Sequence, residues 1–439
     1  MHPNPFTILE EARKSRKEYN SHATREALTN AVKLAFNQNT PRDFQLDMAE
    51  ALILGLDATV VAGMGSGKTL PWAMPLLLGE YSSHSCIVIS PLKALQADHA
   101  KFFSALGLAA TAVNSDTWND PVVKRNVIES KYRILLVSPE MCFRSPEFSE
   151  LLRNPTWAKQ FMYVVIDECH CVTQWGKTFR TTYSSTDKLR SFVAPSIPFL
   201  ITSATLPPAS FTEICQLLEI STSSAFHLNL GNDRSNLMPI LWPMKGAAKD
   251  LNSLNFIVSG KGDLPRVVVY VNKKDLARIG CEHLRAKVAP DQRDQIDFLH
   301  ASRSKWPQKR ILELFQKGDI NILFATEVVG MGTDLKNVTL VVQFMVPDTL
   351  SVWMQRAGRA GRSGSPSAAV LLYEPSVIQK VKGKLADESD GEDEDGGDLE
   401  ERLHEGDDFR KKNVESSLRS YVLTEQCRRV VTDAYFGTP

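Results

Sequence analysis

Two consecutive α/β domains, each a parallel sheet flanked by helices, are what this sequence predicts. Three observations carry the prediction. Short apolar runs of three to six residues recur along the chain, the pattern of strands buried on both faces. Helix-like stretches such as Phe44–Gly55 and Pro307–Gln316 separate them, and strand–helix alternation implies parallel pairing through crossover helices. At 439 residues the chain is longer than one hydrophobic core supports, so two or three domains are expected.

In the first half the expected strands are Thr59–Val61, Cys86–Ile89, Ile134–Val137, Tyr163–Ile166 and Phe199–Thr202. In the second they are Arg266–Val271, Asn321–Ala325, Leu340–Phe344 and Ala368–Leu372. The pattern lapses over Ser221–Gly262, rich in Ser, Asn, Gly and Pro, which puts the domain boundary near Asn229–Ser235. The expected organisation is a basic helical extension (1–38), a first domain (39–230), a second (231–383), an acidic segment (384–412) and a C-terminal piece (413–439). The last carries one helix-like stretch, Ser416–Phe436.

A net charge of zero hides an asymmetry. Between Ala386 and Asp408 stand 13 Asp or Glu against one basic residue, Arg402, so the rest of the chain carries +12. A basic body suggests a polyanionic partner, with an ordinary solvated surface as the alternative. The acidic stretch cannot bury apolar area and is expected to be disordered; it would suit a basic protein partner or shield a basic groove. No apolar run reaches 18 residues, so no membrane partner is expected. The basic, polar first twenty residues lack the core of a secretory signal. Seven scattered cysteines without a Cys-x-x-Cys suit a reducing, intracellular compartment.

Three motifs carry chemistry. Ala62-Gly-Met-Gly-Ser-Gly-Lys-Thr69 follows an expected strand and precedes a helical stretch. In that setting backbone N–H groups of Gly63, Met64, Gly65, Ser66 and Gly67 can cradle phosphates. Lys68 reaches the β and γ phosphates of ATP, and the Thr69 hydroxyl can ligate Mg²⁺. The strict pattern has Gly where Ala62 stands; a small side chain is expected to do little harm. A Gly-rich turn before an ordinary helix is the plain alternative.

Asp167-Glu-Cys-His170 ends the apolar run Tyr163–Ile166, 99 residues after Lys68. Carboxylates at a strand's C-terminal end suit Mg²⁺ (Asp167) and the attacking water (Glu168). Gln355-Arg-Ala-Gly-Arg-Ala-Gly-Arg362 places arginines three apart, one face at a helix start. Arg359 and Arg362 suit a transferring phosphoryl group; a basic surface helix is the alternative.

Together these segments resemble the ordered motifs of superfamily 2 helicases, and more narrowly the RecQ family, from about Arg42 to Tyr373. The resemblance implies two RecA-like domains, 39–230 and 231–383, with ATP in a cleft between them. It implies that Arg42 and Gln45 read adenine, that Ser203 and Thr205 couple hydrolysis to movement, that Thr326 lies near nucleic acid and Asp334 near the ribose. Gln174-Trp-Gly-Lys-Thr-Phe-Arg180 resembles the family's aromatic-rich loop. Trp175 and Phe179 can stack on unpaired bases and Arg180 adds charge; core packing is the alternative for the aromatics. Lys177 stands where the family has His, and Thr333 and Leu335-Lys336 replace its Ile and Lys-Pro. Residues from Cys427 resemble the start of the family's zinc-binding subdomain, but its other three cysteines do not follow, so no zinc site is expected.

The resemblance implies an ATP- and Mg²⁺-dependent 3′–5′ DNA helicase or translocase. Single-stranded DNA is the expected partner, with forked or branched duplexes as further substrates, RNA left open, and the nucleus or nucleoid as location. Two other readings stand beside it: a DNA-stimulated ATPase that remodels complexes without unwinding, and a non-catalytic DNA-binding scaffold.

Overall fold

A computed structural model describes residues 4–36, 39–171, 190, 193–260, 262–327, 335, 337–379 and 412–438. The chain forms two compact units. The first runs to Arg234 and includes the residues from Thr432; the second begins at Ser235.

The first unit is built on a seven-stranded, wholly parallel sheet. Its strands are β1 (Ala58–Val61), β2 (Ser85–Ile89), β3 (Ala110–Val113), β4 (Ile134–Val137), β5 (Phe161–Ile166), β6 (Phe199–Ser203) and β7 (Phe226–Asn229), in the order β3-β4-β2-β5-β6-β1-β7. Side chains alternate between its faces. Val61, Ile89, Ile166 and Ile201 enter one apolar cluster, while Val60, Val88, Val165 and Leu200 enter another. The second unit holds a six-stranded parallel sheet of β8 (Leu237–Pro243), β9 (Val267–Val271), β10 (Ile296–Leu299), β11 (Ile322–Ala325), β12 (Leu340–Phe344) and β13 (Ser367–Tyr373). Its order is β10-β11-β9-β12-β13-β8, again with clusters on both faces. Both sheets match the RecA-like α/β architecture.

Register positions the site. Val61 pairs with Ser203, Ile89 with Ile166, and Ile166 with Ile201. The C-terminal ends of β1, β2, β5 and β6 therefore lie together, and parallel α/β sheets bind ligands outside that end.

All nine expected strands form, and four corrections follow. The pattern does not lapse throughout Ser221–Gly262: the segment holds β7, β8 and a 3₁₀ segment, Leu251–Val258. The helical stretch after the Gly-rich loop is a single turn, Leu70–Ala73, followed by short 3₁₀ pieces, because Pro75 has no N–H to donate back to residue 71. The expected Ser416–Phe436 helix is two, Ser416–Leu423 and Arg428–Phe436. Between them the Thr424 hydroxyl accepts from the Gln426 N–H at 3.1 Å, a local turn that competes with the helix. The helix before the arginine motif, Leu350–Ala357, ends before Arg359 instead of carrying it; Gly361 at φ +61° takes the chain away.

Helices Pro5–Ser15 and Ser21–Ala35 are capped by Asn4 and Asn20. Their side chains Arg13 and Arg25 converge on Glu50 of helix Asp43–Ile53. Of the acidic segment, 384–411 lies outside the described residues, while the Lys412 ammonium pairs with Glu374. All seven cysteines are free thiols; six are buried and Cys427 is exposed.

Candidate active site

The loop after β1 is fixed at both ends. The Ala62 N–H donates to the Ser203 carbonyl at 3.1 Å, and the Gly63 N–H to the Gly231 carbonyl at 3.2 Å. Ala62 is fully buried in an apolar cluster, so its methyl is absorbed by packing. Gly65 (φ +78°) and Gly67 (φ +86°) adopt left-handed backbone, the conformation that turns successive N–H groups toward one concave, anion-binding face. At Gly67 a Cβ would also fall 2.5 Å from Gln45 Nε2 and would push that side chain from its place. The following helix is one turn long, so an anion at this loop would meet loop amides and Lys68 rather than a long helix dipole.

Two residues from the start of helix Asp43–Ile53 brace the loop. Gln45 Nε2 donates to the Gly67 carbonyl at 2.9 Å and Arg42 Nη1 to the Ser66 carbonyl at 3.0 Å. Lys68 Nζ donates to the carbonyls of Ala62 (2.6 Å) and Gly63 (3.2 Å), inside the loop. Its charge also reaches Asp167. Thr69 follows directly in right-handed helical backbone.

Asp167 leaves the end of β5, its N–H bonded to Ile89 O at 2.9 Å and its Oδ1 accepting from Thr202 Oγ1 at 2.9 Å. Burial, and then the neighbouring Glu168, push its carboxyl up to about 7. Glu168 sits at φ +49°, a left-handed conformation uncommon away from glycine, and its side chain is 22% exposed. Its Oε2 lies 3.2 Å from His170 Nδ1, and that nitrogen lies 3.0 Å from Ser203 Oγ. Ser203 Oγ donates to Thr205 O at 3.0 Å and accepts from the Thr205 N–H at 3.2 Å. A polar line thus joins the Asp-Glu-Cys-His segment to the Ser-Ala-Thr segment. The acidic end was marked by its place after an apolar run and the Ser-Ala-Thr end by resemblance to the helicase motif; His170 and Thr202 as links had no signal in the sequence.

His99, on helix Lys93–Ala105, was also invisible. Its ring meets Trp72 edge-on at 5.1 Å. Burial holds its pKa down to about 4, partly opposed by Glu168. The unfolded chain titrates this imidazole near 6.5, so it binds the proton first as pH falls. The contribution is complete above about 6.5 and is lost as pH falls to about 4. His99→Phe should therefore gain stability relative to the parent by on the order of 2–3 kcal/mol by pH 4.5. Paired urea midpoints at pH 7.5, 6 and 4.5 measure this; a difference that does not change with pH rejects it.

In the second unit, Thr326 follows β11, its N–H bonded to Leu299 O at 3.3 Å. Arg359 is 4% exposed. The residue that organises this region is Arg356, to which spacing assigned no role of its own. Its Nη1 donates to Gln343 Oε1 at 2.7 Å and Asn272 Oδ1 at 2.9 Å, Nη2 pairs with Glu327, and the guanidinium stands 5.4 Å from the Tyr270 ring centroid. Burial raises the Tyr270 hydroxyl, and the charges of Arg359, Arg356 and Arg362 oppose that rise, so all three cations gather near one ring. Asp334, Trp175, Phe179 and Arg180 lie outside the described residues.

The sequence profile of the DEAD/DEAH box helicase family matches residues 42–214, and that of the helicase conserved C-terminal domain matches 250–364. A relative in Pasteurella multocida, "ATP-dependent DNA helicase RecQ", is 27% identical over 98% of this chain and 63% of its own length. One of the same name in Haemophilus influenzae is 27% identical over 92% of this chain and 60% of its own length. The chain thus spans about three fifths of the curated relatives it matches. Among solved structures, the DUF1998 helicase MrfA bound to DNA superposes with a TM-score of 0.66 at 18% identity, over 80% of this chain and 51% of that one. That likeness is one of fold.

Proposed function

Because this chain belongs to the RecQ family of superfamily 2 helicases, we propose that it is a DNA-stimulated ATPase that moves 3′ to 5′ along single-stranded DNA and separates duplex as it goes. The observation that carries the reading is the convergence of Lys68, Asp167, Glu168, Ser203 and Thr205 on one end of one sheet, through the Asp167–Thr202 and Glu168–His170–Ser203–Thr205 contacts.

The residues fit ATP and Mg²⁺. The loop amides between Gly63 and Lys68, with two glycines in left-handed backbone, make the anion cradle. A buried carboxyl raised toward neutrality beside a second acid is what a divalent cation relieves. Asp167 and the Thr69 hydroxyl would hold Mg²⁺, whose chemistry is to neutralise phosphate charge. Arg42 and Gln45 would read adenine, and Asp334 the ribose. Glu168 would orient the attacking water and accept its proton. Arg359 and Arg362 would stabilise charge on the transferring phosphoryl group. Trp175 and Phe179 would stack on bases, Arg180 would add charge, and Thr326 would touch the strand. Ser203 and Thr205 would pass the state of Glu168 into movement.

The test is the ATP hydrolysis rate with no nucleic acid, single-stranded DNA, duplex DNA or RNA. Single-stranded DNA should stimulate most, and Trp175→Ala should lower that stimulation at least tenfold. Stimulated hydrolysis without strand separation would select the remodelling reading. A folded, DNA-binding protein that hydrolyses under no condition would be the non-catalytic scaffold.

A further inference from the structure

We propose that the first unit carries a second binding site, for a small uncharged heteroaromatic molecule bearing an N–H group, in a cavity beside β1 and β7. The cavity has a volume of about 350 Å³. Its walls are largely apolar, from Val61, Leu206, Phe211 and Phe436, and among the described residues no Asp, Glu, Lys or Arg lines it. Phosphates would find no countercharge here, so this is not the nucleotide site.

What marks the cavity as more than a packing gap is Thr59. Residues 59 and 61 share a face of β1, opposite Ala58 and Val60, which pack into the core. Thr59 lines the cavity, is 2% exposed, and its hydroxyl oxygen has no hydrogen-bond partner among the described residues. A hydroxyl taken from water without a partner is costly, and such groups are rare in folded proteins. An occupant that donates an N–H to Thr59 Oγ1 removes that cost.

The remaining walls define the occupant's shape. The His227 and Phe211 rings stand edge-to-face at 4.9 Å and 87°, and Phe436 adds a third ring. Rings favour a flat aromatic guest through stacked and edge contacts. The cavity is at the small end of ligand sites, which suits one or two fused rings. Its closure is built: Asn229 Nδ2 donates to the carbonyls of Phe436 and Gly437, each at 3.1 Å. Gly437, at φ +59°, lies so close that a Cβ would fall 2.8 Å from Pro208 Cγ. β1 ends at Val61 and the Gly-rich loop follows at Ala62, so a guest held at Thr59 sits four residues before Gly63.

Indole and benzothiophene test the site, because both are flat bicycles and only indole has an N–H. Methyl NMR titration of the full chain, following Val61 and Leu206, reads binding directly and does not depend on any ATPase activity. Indole should shift these methyls and bind several-fold more tightly than benzothiophene. Thr59→Val, nearly isosteric, should lower indole affinity about tenfold and leave benzothiophene within twofold. It should also raise the melting temperature by removing the unpartnered hydroxyl. Phe211→Trp, which fills the cavity, should block both compounds; if that protein does not fold, the Thr59→Val comparison decides alone. Unmoved Val61 and Leu206 methyls, or an indole preference that survives Thr59→Val, would overturn the proposal.

Discussion

Glu168→Gln should reduce kcat for ATP hydrolysis by 10²- to 10⁴-fold, the usual contribution of a positioned general base, while the protein stays folded. Gln keeps the length and the capacity to meet His170 but cannot take up a proton. The backbone at φ +49° is a conformation that either side chain must be held in by its surroundings, so the swap changes chemistry more than conformation. A second effect has a definite sign. After burial, the Glu168 charge is the largest influence raising the Asp167 carboxyl, so its removal should lower that pKa and favour the ionised Asp167. Nucleotide affinity measured with Mg²⁺ should therefore be retained or improve as turnover collapses. A loss of turnover with parallel loss of binding would mean that Glu168 builds the site rather than acting in it, and less than a tenfold loss would place the base elsewhere.

The same contacts physically join the Asp-Glu segment to the Ser-Ala-Thr segment. His170 Nδ1 lies within 3.2 Å of both a Glu168 oxygen and Ser203 Oγ, and a single ring nitrogen cannot serve both equally well in each protonation state. Whatever alters the charge of Glu168 therefore changes the partner available to Ser203, whose hydroxyl also spans the Thr205 backbone.

The interior of both sheets was readable, and their edges were not. The nine strands visible as apolar runs are all interior strands; the four that were missed, β3, β7, β8 and β10, are the four edge strands. An edge strand has a neighbour on one side only and is more open to solvent, so it needs no continuous apolar run. β8 is extreme, with Pro239 and Pro243 inside it, residues that only an edge tolerates. For the candidate site, the placement of Lys68, Asp167 and Glu168 was legible because each is tied to a strand end, and parallel strands bring those ends together; Ser203 was marked by the motif resemblance. His99, Thr202 and Arg356 were not, because a residue whose role comes from tertiary neighbours leaves no spacing to read. The arginine motif misled for a local reason: a three-residue spacing suggests one helical face, but Gly358 closes the helix and Gly361 turns the chain.

Glu50→Ala should cost the first unit about 3 kcal/mol, the largest loss of stability expected from a single side chain outside its apolar core. Glu50 is fully buried and its carboxylate is shared. Arg13 Nε donates to Oε1 at 3.0 Å and Arg13 Nη2 pairs with Oε2; Tyr19 donates to Oε1 at 3.1 Å and Arg25 to Oε2 at 3.2 Å. Burial alone would raise this carboxyl, but hydrogen bonds from Arg13, Ser21 and Arg25, with the charge of Arg13, hold it below its ordinary 4.5. Its contribution is therefore present at neutral pH and lost as pH falls below that value. Alanine leaves Arg13 with Glu10 alone and Arg25 with Asp47 alone, at 2.7 Å, and strips the buried side of both guanidinium groups and of the Tyr19 phenol of its acceptor; removal of one partner costs more than the pair is worth. Arg13 and Arg25 belong to the two N-terminal helices, and Glu50 to the helix whose first residues, Arg42 and Gln45, brace the phosphate loop. The loss should thus appear twice: as faster amide exchange across residues 5–35, and as a raised KM for ATP with kcat less affected. Arg13→Ala on top of Glu50→Ala should add little, because the interaction is already gone. A Glu50→Ala protein within 1 kcal/mol of the parent would mean that the desolvation of three charges cancels their attraction, and that apolar packing alone holds the N-terminal helices.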